Sequence, residues 1–279
     1  MKKLNLLYEL LKFPIVSSLE RYSIKHFVKI LPFDTKIIED NIIYDTKSKI
    51  VLVAHYDRIG IALEDYLNGF YLYRKIGMID HLDGKIVLGY KNVYGIVRKD
   101  RVEIDKHLAK NYPMVVYREP ILYGDNLYSY GIDNRFGVYA VLSIAKKFNI
   151  SFVLTAGEET GTTRLEKTIG CLGERYFITI DACYSTDDPH NYIAEDDICY
   201  RAIEGGGKGN IAPAELVKMM NIKEKHTWSE NQISDATTFY RYGAKAINIC
   251  YPVRYLHGLE QTKLSYLKKM ENTIKSLIK

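Results

Sequence analysis

Short apolar runs that stop abruptly at polar residues set the rhythm of this chain. KIVLVAHYD, SFVLTA, YFITIDA and AKAINICYP are strand-length and nearly continuous in apolar residues, the texture of strands buried on both faces. Helical spacing separates them. It appears in NRFGVYAVLSIAKKFN, near TTRLEKTIGCL, in PAELVKMMN with Pro213 in its first turn, and in SDATTFYRYG with Ser234 or Asp235 at its cap. MKKLNLLYELLKF predicts an amphipathic first helix, and SSLERYSIKHFVKIL a second, with Leu19, Tyr22, Phe27 and Ile30 at mixed three- and four-residue spacing and Ser17 or Ser18 as cap. KIIEDNIIYDT alternates as a strand and turns near Asp45 to Ser48. Beyond Asp187, NYIAEDDICYRAIEGGGKGN predicts irregular structure. LEQTKLSYLKKMENTIKSLIK closes the chain as an amphipathic helix, with Leu264, Leu267, Met270, Ile274 and Ile278 on one stripe.

From Ile61 to Asn126 the texture changes to short β-like pieces: GFYLYRKI, GKIVLGYKN, VYGIVRKD, RVEIDK and MVVYREPILY, punctuated by glycines and Asp-Gly or Lys-Asp turns. The alternation of strands and helices on either side predicts an α/β fold, a mixed but mostly parallel sheet flanked by helices. Residues 1–60 and 127–279 then form one domain, and 61–126 a small all-β insertion.

The 279 residues suffice for that plan, and 47% hydrophobic with 26% charged residues is ordinary for a packed globular protein. The formal charge of +5 and pI near 8.7 raise the question of nucleic acid, but lysines and arginines are scattered rather than blocked, which argues against it. No stretch reaches the roughly 18 to 20 apolar residues of a spanning helix, and no small-residue cleavage site follows the first helix. A cytoplasmic protein with no membrane partner is expected. Cys171, Cys183, Cys199 and Cys250 form no CxxC pair, so reduced, mostly buried thiols are expected.

Acids and imidazoles stand where the strand-like runs stop: His55, Asp133, Glu159, Asp181 and His257, with Glu158 beside the third. Residues so distant can converge only where several strands end at one edge, which is where ligands gather in open α/β sheets. His55 and Asp57 lie two apart on one side of an extended segment, so the imidazole could bind a metal while facing a carboxylate. A hydrogen-bonded strand-end histidine beside a surface acid reads equally well. Asp133, just before a helix, can offer both oxygens to two cations, although alone it would be a common helix cap. Adjacent Glu158 and Glu159 can point in different directions, one to a metal and one to the attacking water. Asp181 and His257, taken singly, have ordinary structural readings. Together the five supply one bridging acid and one His plus one acid for each of two metals, a set suited to Zn²⁺ or Co²⁺. No G-x-S-x-G, P-loop or dinucleotide fingerprint competes with it.

In AHYDRIG, GIDNRFG, TAGEETG, ITIDA, SDATTFY and PVRYLHG, taken in that order, the chain resembles the two-metal aminopeptidases that include the tetrahedral, glutamyl and deblocking enzymes. The resemblance implies a zinc-exopeptidase-like catalytic metallopeptidase domain over 1–60 and 127–279, holding two divalent ions, Zn or Co. It implies that His55 and Asp181 take one ion, Glu159 and His257 the other, and Asp133 both. Glu158 would be the general base and Asp57 would orient His55. Short peptides trimmed from the amino end are the implied substrates, and a homo-oligomer, from a dodecamer to something smaller, the implied assembly. A related two-metal amidohydrolase, such as a deacylase or carboxypeptidase-like enzyme, is the nearest alternative, because fold and metals do not set the substrate. A lapsed binding protein is a third, against which the intact ligand set argues.

Overall fold

The computed structural model describes residues 4–77, 84–89, 94–184, 196–204, 211–224 and 233–278. Helix α1 (Asn5–Lys12) buries Leu7, Leu10 and Leu11. The single helix expected over residues 17–31 is instead broken: a 3-10 turn (Glu20–Tyr22), the one-turn α2 (Ile24–Phe27) and another 3-10 turn (Val28–Ile30). Ser18 is left-handed at φ 63°, its N–H bonds Glu20 Oε1 at 3.0 Å, and Ser23 Oγ donates to the Pro14 carbonyl at 3.1 Å. Such local side-chain bonds compete with the helical ladder. KIIEDNIIY is likewise a hairpin rather than one strand. Strands β1 (Lys36–Ile38) and β2 (Asn41–Tyr44) pair antiparallel across Glu39 and Asp40, both at positive φ, the geometry of a two-residue hairpin turn.

After β3 (Ile50–His55) come β4 (Gly60–Leu67), β5 (Phe70–Ile76), β6 (Lys85–Gly89), β7 (Tyr94–Val97), β8 (Arg101–Glu103) and β9 (Pro113–Tyr117). These last six close into an antiparallel barrel in the order β4-β5-β8-β7-β6-β9 around Ile61, Leu63, Val87, Val97, Val102 and Met114. The expected all-β insertion is thus a barrel with no free edge. A second hairpin, β10 (Ile121–Tyr123) and β11 (Asn126–Ser129), leads back to α3 (Ile132–Phe148).

The remaining elements are β12 (Ser151–Thr155), α4 (Glu166–Leu172), β13 (Tyr176–Tyr184), β14 (Cys199–Arg201), α5 (Ala214–Met219), β15 (Lys223–Glu224), α6 (Asp235–Arg241), β16 (Lys245–Val253), β17 (Glu260–Lys263) and α7 (Ser265–Leu277). The main sheet runs β1-β2-β12-β3-β13-β16-β14-β15, with β12, β3, β13 and β16 mutually parallel and β2 and β14 antiparallel to their inner neighbours. Alternate residues feed two cores. Leu52, Phe152, Ile178 and Ile249 pack with α1, α3 and α7, while Val51, Val153, Phe177 and Ala246 pack with Leu172 of α4 and Phe239 of α6. Each fully buried aliphatic or aromatic side chain stabilises by roughly 1.5–3 kcal/mol, so burial on both faces fixes which end of each strand emerges.

Three expectations change here. β14 forms within the segment read as irregular, because Cys199 and Arg201 pair with Cys250 and Asn248. The start of the last helix, EQTK, is strand β17, held against β11. The buried stripe of α7 is accordingly Tyr266, Met270, Thr273, Ile274 and Leu277, with Ile278 exposed. Pro213 stands just outside α5 rather than in its first turn, and Ser234, of the two caps offered, accepts the Ala236 N–H at 3.2 Å. Among the described residues, no helix is long and apolar enough to cross a membrane.

Candidate metal centre

Parallel strands deliver their carboxyl ends to one edge. β3 ends at His55, directly opposite Thr155, the last residue of β12. The chain then turns at Gly157 (φ 80°), where a Cβ would stand 2.5 Å from Thr162 Oγ1, into a 3-10 turn that carries Glu158 and Glu159. β13 carries Asp181, and past β16 the chain reaches His257 at φ 65°.

Asp133 comes from a helix rather than from the sheet. It lies at the start of α3, where Asp133 and Asn134 have non-helical angles and a cis peptide joins them. Asn134 Nδ2 donates to the Ile180 carbonyl at 2.7 Å, and the Tyr251 hydroxyl bonds Asn134 Oδ1 at 2.8 Å, so the loop is fixed to β13 and β16. Just before it, Gly131 (φ 73°) lies where a Cβ would come within 2.0–2.3 Å of the Arg58 guanidinium.

The Asp133 carboxylate stands between the two histidines. Its Oδ1 is 3.1 Å from His55 Nε2, and its Oδ2 is 3.5 Å from His257 Nε2. His55 Nε2 is also 3.4 Å from Asp181 Oδ1 and 3.8 Å from Glu158 Oε2, while His257 Nε2 is 3.4 Å from Glu159 Oε2. Two ligating groups result, His55–Asp133–Asp181 and Asp133–Glu159–His257, each with its donor atoms within 4.8 Å of one another. All five residues singled out as metal-ligating come together, and Glu158 joins them.

Asp57 is fully buried and lies 3.8 Å from His55 Nδ1, beyond hydrogen-bonding distance. Its oxygens accept the main-chain N–H groups of Glu158 and Glu159 at 3.3 and 3.2 Å. Its direct bonds therefore fix the glutamate turn.

Two further acids escaped the sequence reading. Glu260 accepts from the backbone of Asp133 and of His257, and Asp235 accepts from the hydroxyls of Thr155 and Thr163. Both are buried. The available signal for Glu260 was an acid three residues beyond the last candidate histidine. For Asp235 it was a second polar residue beside a cap already supplied by Ser234. The glycine-rich GGGKGN segment lies outside the described residues.

Electrostatics follow from this crowding. Burial raises the Glu158 carboxyl well above its ordinary value, His55 opposes this, and Asp181 and Asp235 add to it. Burial and the neighbouring Asp133 lift Glu159 to about 8. Burial also lifts Asp235 and Glu260 to about 7. Burial disfavours charge on the imidazoles, yet the acids win: His257 rises to about 9 and His55 well above its usual value. Asp133, despite burial, is held below the usual range by its bonds to His257 and His55.

Seven acids, Asp57, Asp133, Glu158, Glu159, Asp181, Asp235 and Glu260, thus surround two imidazoles, a surplus of negative charge that ordinarily requires cations or protons. Glu159 Oε1 and His55 Nδ1 are buried without hydrogen-bond partners. Oxygen and imidazole nitrogen donors in two groups sharing one carboxylate fit a pair of divalent ions.

Solved structures share this fold. The TET1 peptidase of Pyrococcus horikoshii, described as able to assemble into a tetrahedron or a large octahedral shell, matches with TM-score 0.79 at 20% identity, covering 99% of this chain and 99% of that one. An aminopeptidase of the archaeon Desulfurococcus kamchatkensis matches with TM-score 0.83 at 18% identity, over 99% and 94% of the two chains. A Thermotoga maritima structure named as an endoglucanase matches with TM-score 0.74 at 19% identity, over 98% and 96%. At such identities the likeness establishes the fold. No curated protein sequence matches the chain. A sequence profile of the M42 glutamyl aminopeptidases matches residues 96–275, well over half of the chain. As the six motifs led us to expect, this chain belongs to the M42 glutamyl aminopeptidase family and is a hydrolase.

Proposed function

We propose that the chain is a dinuclear-metal aminopeptidase that removes amino-terminal residues from short peptides. The observation that carries this reading is Asp133, whose two oxygens face two different histidines, each with a further acid beside it. His55 and Asp181 would hold one ion, Glu159 and His257 the other, and Asp133 both, with Zn²⁺ or Co²⁺ as the ions that suit these donors. When bound, the pair would supply Lewis acidity toward the scissile carbonyl and the attacking water.

The protein's own residues would do the rest. Glu158, 18% exposed at its side chain and not one of the five metal-ligating residues, accepts the proton of the attacking water and returns it to the leaving amine. Asp57 keeps Glu158 and Glu159 in their divergent directions by holding both of their main-chain N–H groups. Glu260 holds Asp133 and His257 from behind. Residues 61–126, built largely of the barrel, would act as a unit distinct from the catalytic domain of 1–60 and 127–279. Assembly into a homo-oligomer in the cytoplasm completes the reading, supported by the tetrahedral and octahedral assemblies described for the P. horikoshii relative.

The test is hydrolysis of aminoacyl-p-nitroanilides beside amino-blocked controls, by metal-stripped protein given back Zn²⁺ or Co²⁺. Metal-dependent release from free-amine substrates alone is the expected result. Turnover of the blocked compounds would instead mark a two-metal amidohydrolase.

A further inference from the structure

Outside the carboxylate centre, three of the four cysteines meet. Cys183, Cys199 and Cys250 come from β13, β14 and β16, and their sulfurs all lie within 4.8 Å of one another. The register explains the meeting. Cys199 is paired directly across from Cys250, and Cys183 lies two residues beyond Asp181, whose parallel partner is also Cys250. Side chains two residues apart share a face, so all three thiols stand on the face of the sheet that carries Asp181. They are 2, 0 and 0% exposed, whereas Cys171 lies on the surface.

These thiols do not simply fill an aliphatic core. They form a small buried cluster of their own, and Arg201 and Asn248, each two residues from one of these cysteines, share their face. Asn248 Nδ2 approaches Cys250 Sγ at 3.6 Å and donates to Glu204 Oε1 at 2.8 Å. Arg201, two residues from Cys199, donates from Nη1 to Glu204 Oε1 at 3.0 Å, while its buried Nε has no hydrogen-bond partner. Thiolates gain from a nearby guanidinium and an amide N–H, whereas neutral thiols in an apolar core have no use for them.

We infer that Cys183, Cys199 and Cys250 form a separate site for a soft, thiophilic divalent cation such as Zn²⁺. A Zn–S bond of about 2.3 Å places tetrahedral sulfurs about 3.8 Å apart, a small side-chain adjustment from the arrangement here. Binding exchanges three S–H bonds for three sulfur–metal bonds and releases three protons to solvent. The product bears one net negative charge beside the Arg201–Glu204 pair, where the buried Arg201 Nε still lacks a hydrogen-bond partner. An ion there would tie β14, the strand next to the β15 edge, to β13 and β16, two residues beyond Asp181.

The experiment uses the full chain, reduced and metal-stripped, titrated with Co²⁺ and separately with Cd²⁺. Carboxylates and imidazoles give no sulfur-to-metal charge transfer, so near-ultraviolet absorption of that kind reports cysteines alone. The expected result is charge-transfer absorption from one ion per chain, unchanged in C171S and lost in C199S and C250S. Its absence from the reduced chain at saturating Co²⁺ and Cd²⁺, or its loss in C171S, would overturn the site. If C199S and C250S fail to fold, the unsubstituted chain and C171S still decide the matter, because Cys171 is exposed.

Discussion

Glu260 accepts the main-chain N–H of Asp133 through one carboxylate oxygen, at 3.2 Å. Its other oxygen takes the N–H of His257 at 2.9 Å, so one buried acid positions two candidate ligands on different elements. Removing such outer support typically costs 10- to 100-fold in metal affinity. We expect E260A to weaken ion retention by about that much in competition with a chelator, and E260Q, which keeps one acceptor oxygen, to lose less. Wild-type retention by E260A would contradict the positioning role.

Asp57 uses two acceptor oxygens for two N–H groups, and asparagine has only one. D57N should fold normally by circular dichroism yet turn over about 100-fold more slowly, because a misplacement of about 1 Å in a reacting group costs that much. The loss should fall on kcat rather than KM. A kcat equal to wild type would show that the glutamate turn does not depend on Asp57.

Without ions, protons occupy the ligands. His257, raised to about 9, and His55, raised well above its usual value, are charged at neutral pH, and Glu159, raised to about 8, holds its proton there too. Ions need the bare nitrogens and oxygens, so loading must expel protons. Apparent affinity should therefore climb as pH rises from neutrality toward about 9, where His257 titrates. Calorimetry in buffers of different ionisation enthalpy should give binding heats that change with buffer near neutrality; heats that do not change would sink this account.

At the opposite end of the strands, Arg175 bonds Asp45 at 2.7 Å. That bond holds the Asp45 carboxyl well below its usual range, against a smaller opposing effect of burial. A depressed folded pKa means the contribution to stability is fully present above the unfolded value of about 3.9 and is lost as pH falls through the folded one. D45N should melt below wild type at neutral pH, and the difference should shrink steadily under acid. A gap that stays constant with pH would contradict the assignment.

The strand-terminal ligands were legible in the sequence because doubly buried strands read as apolar runs, and the residue at which each run stops is the one that emerges. His55, the last residue of β3, follows that logic directly, whereas Asp181 lies inside β13, which runs on past the apolar stretch to Tyr184. Glu260 did not, because its short strand sits between His257 and an amphipathic helix whose period absorbed it. The Glu39–Asp40 turn was hidden because neither residue is the glycine or asparagine that usually marks positive φ. The break in the second helix depends on bonds from Ser18, Glu20 and Ser23 that spacing alone does not reveal. The meeting of Cys183, Cys199 and Cys250 needed the strand order, which periodicity does not contain.

The most direct measurement titrates Co²⁺ into metal-stripped D133N and wild-type protein, following turnover of a free-amine p-nitroanilide alongside the visible d–d absorption of nitrogen- and oxygen-ligated cobalt. If Asp133 joins two ions, wild-type turnover should rise to its plateau only as a second such cobalt binds, and D133N should lose both the pairing and nearly all activity. Full turnover with a single nitrogen- and oxygen-ligated ion, or an active D133N, would contradict a shared two-ion centre.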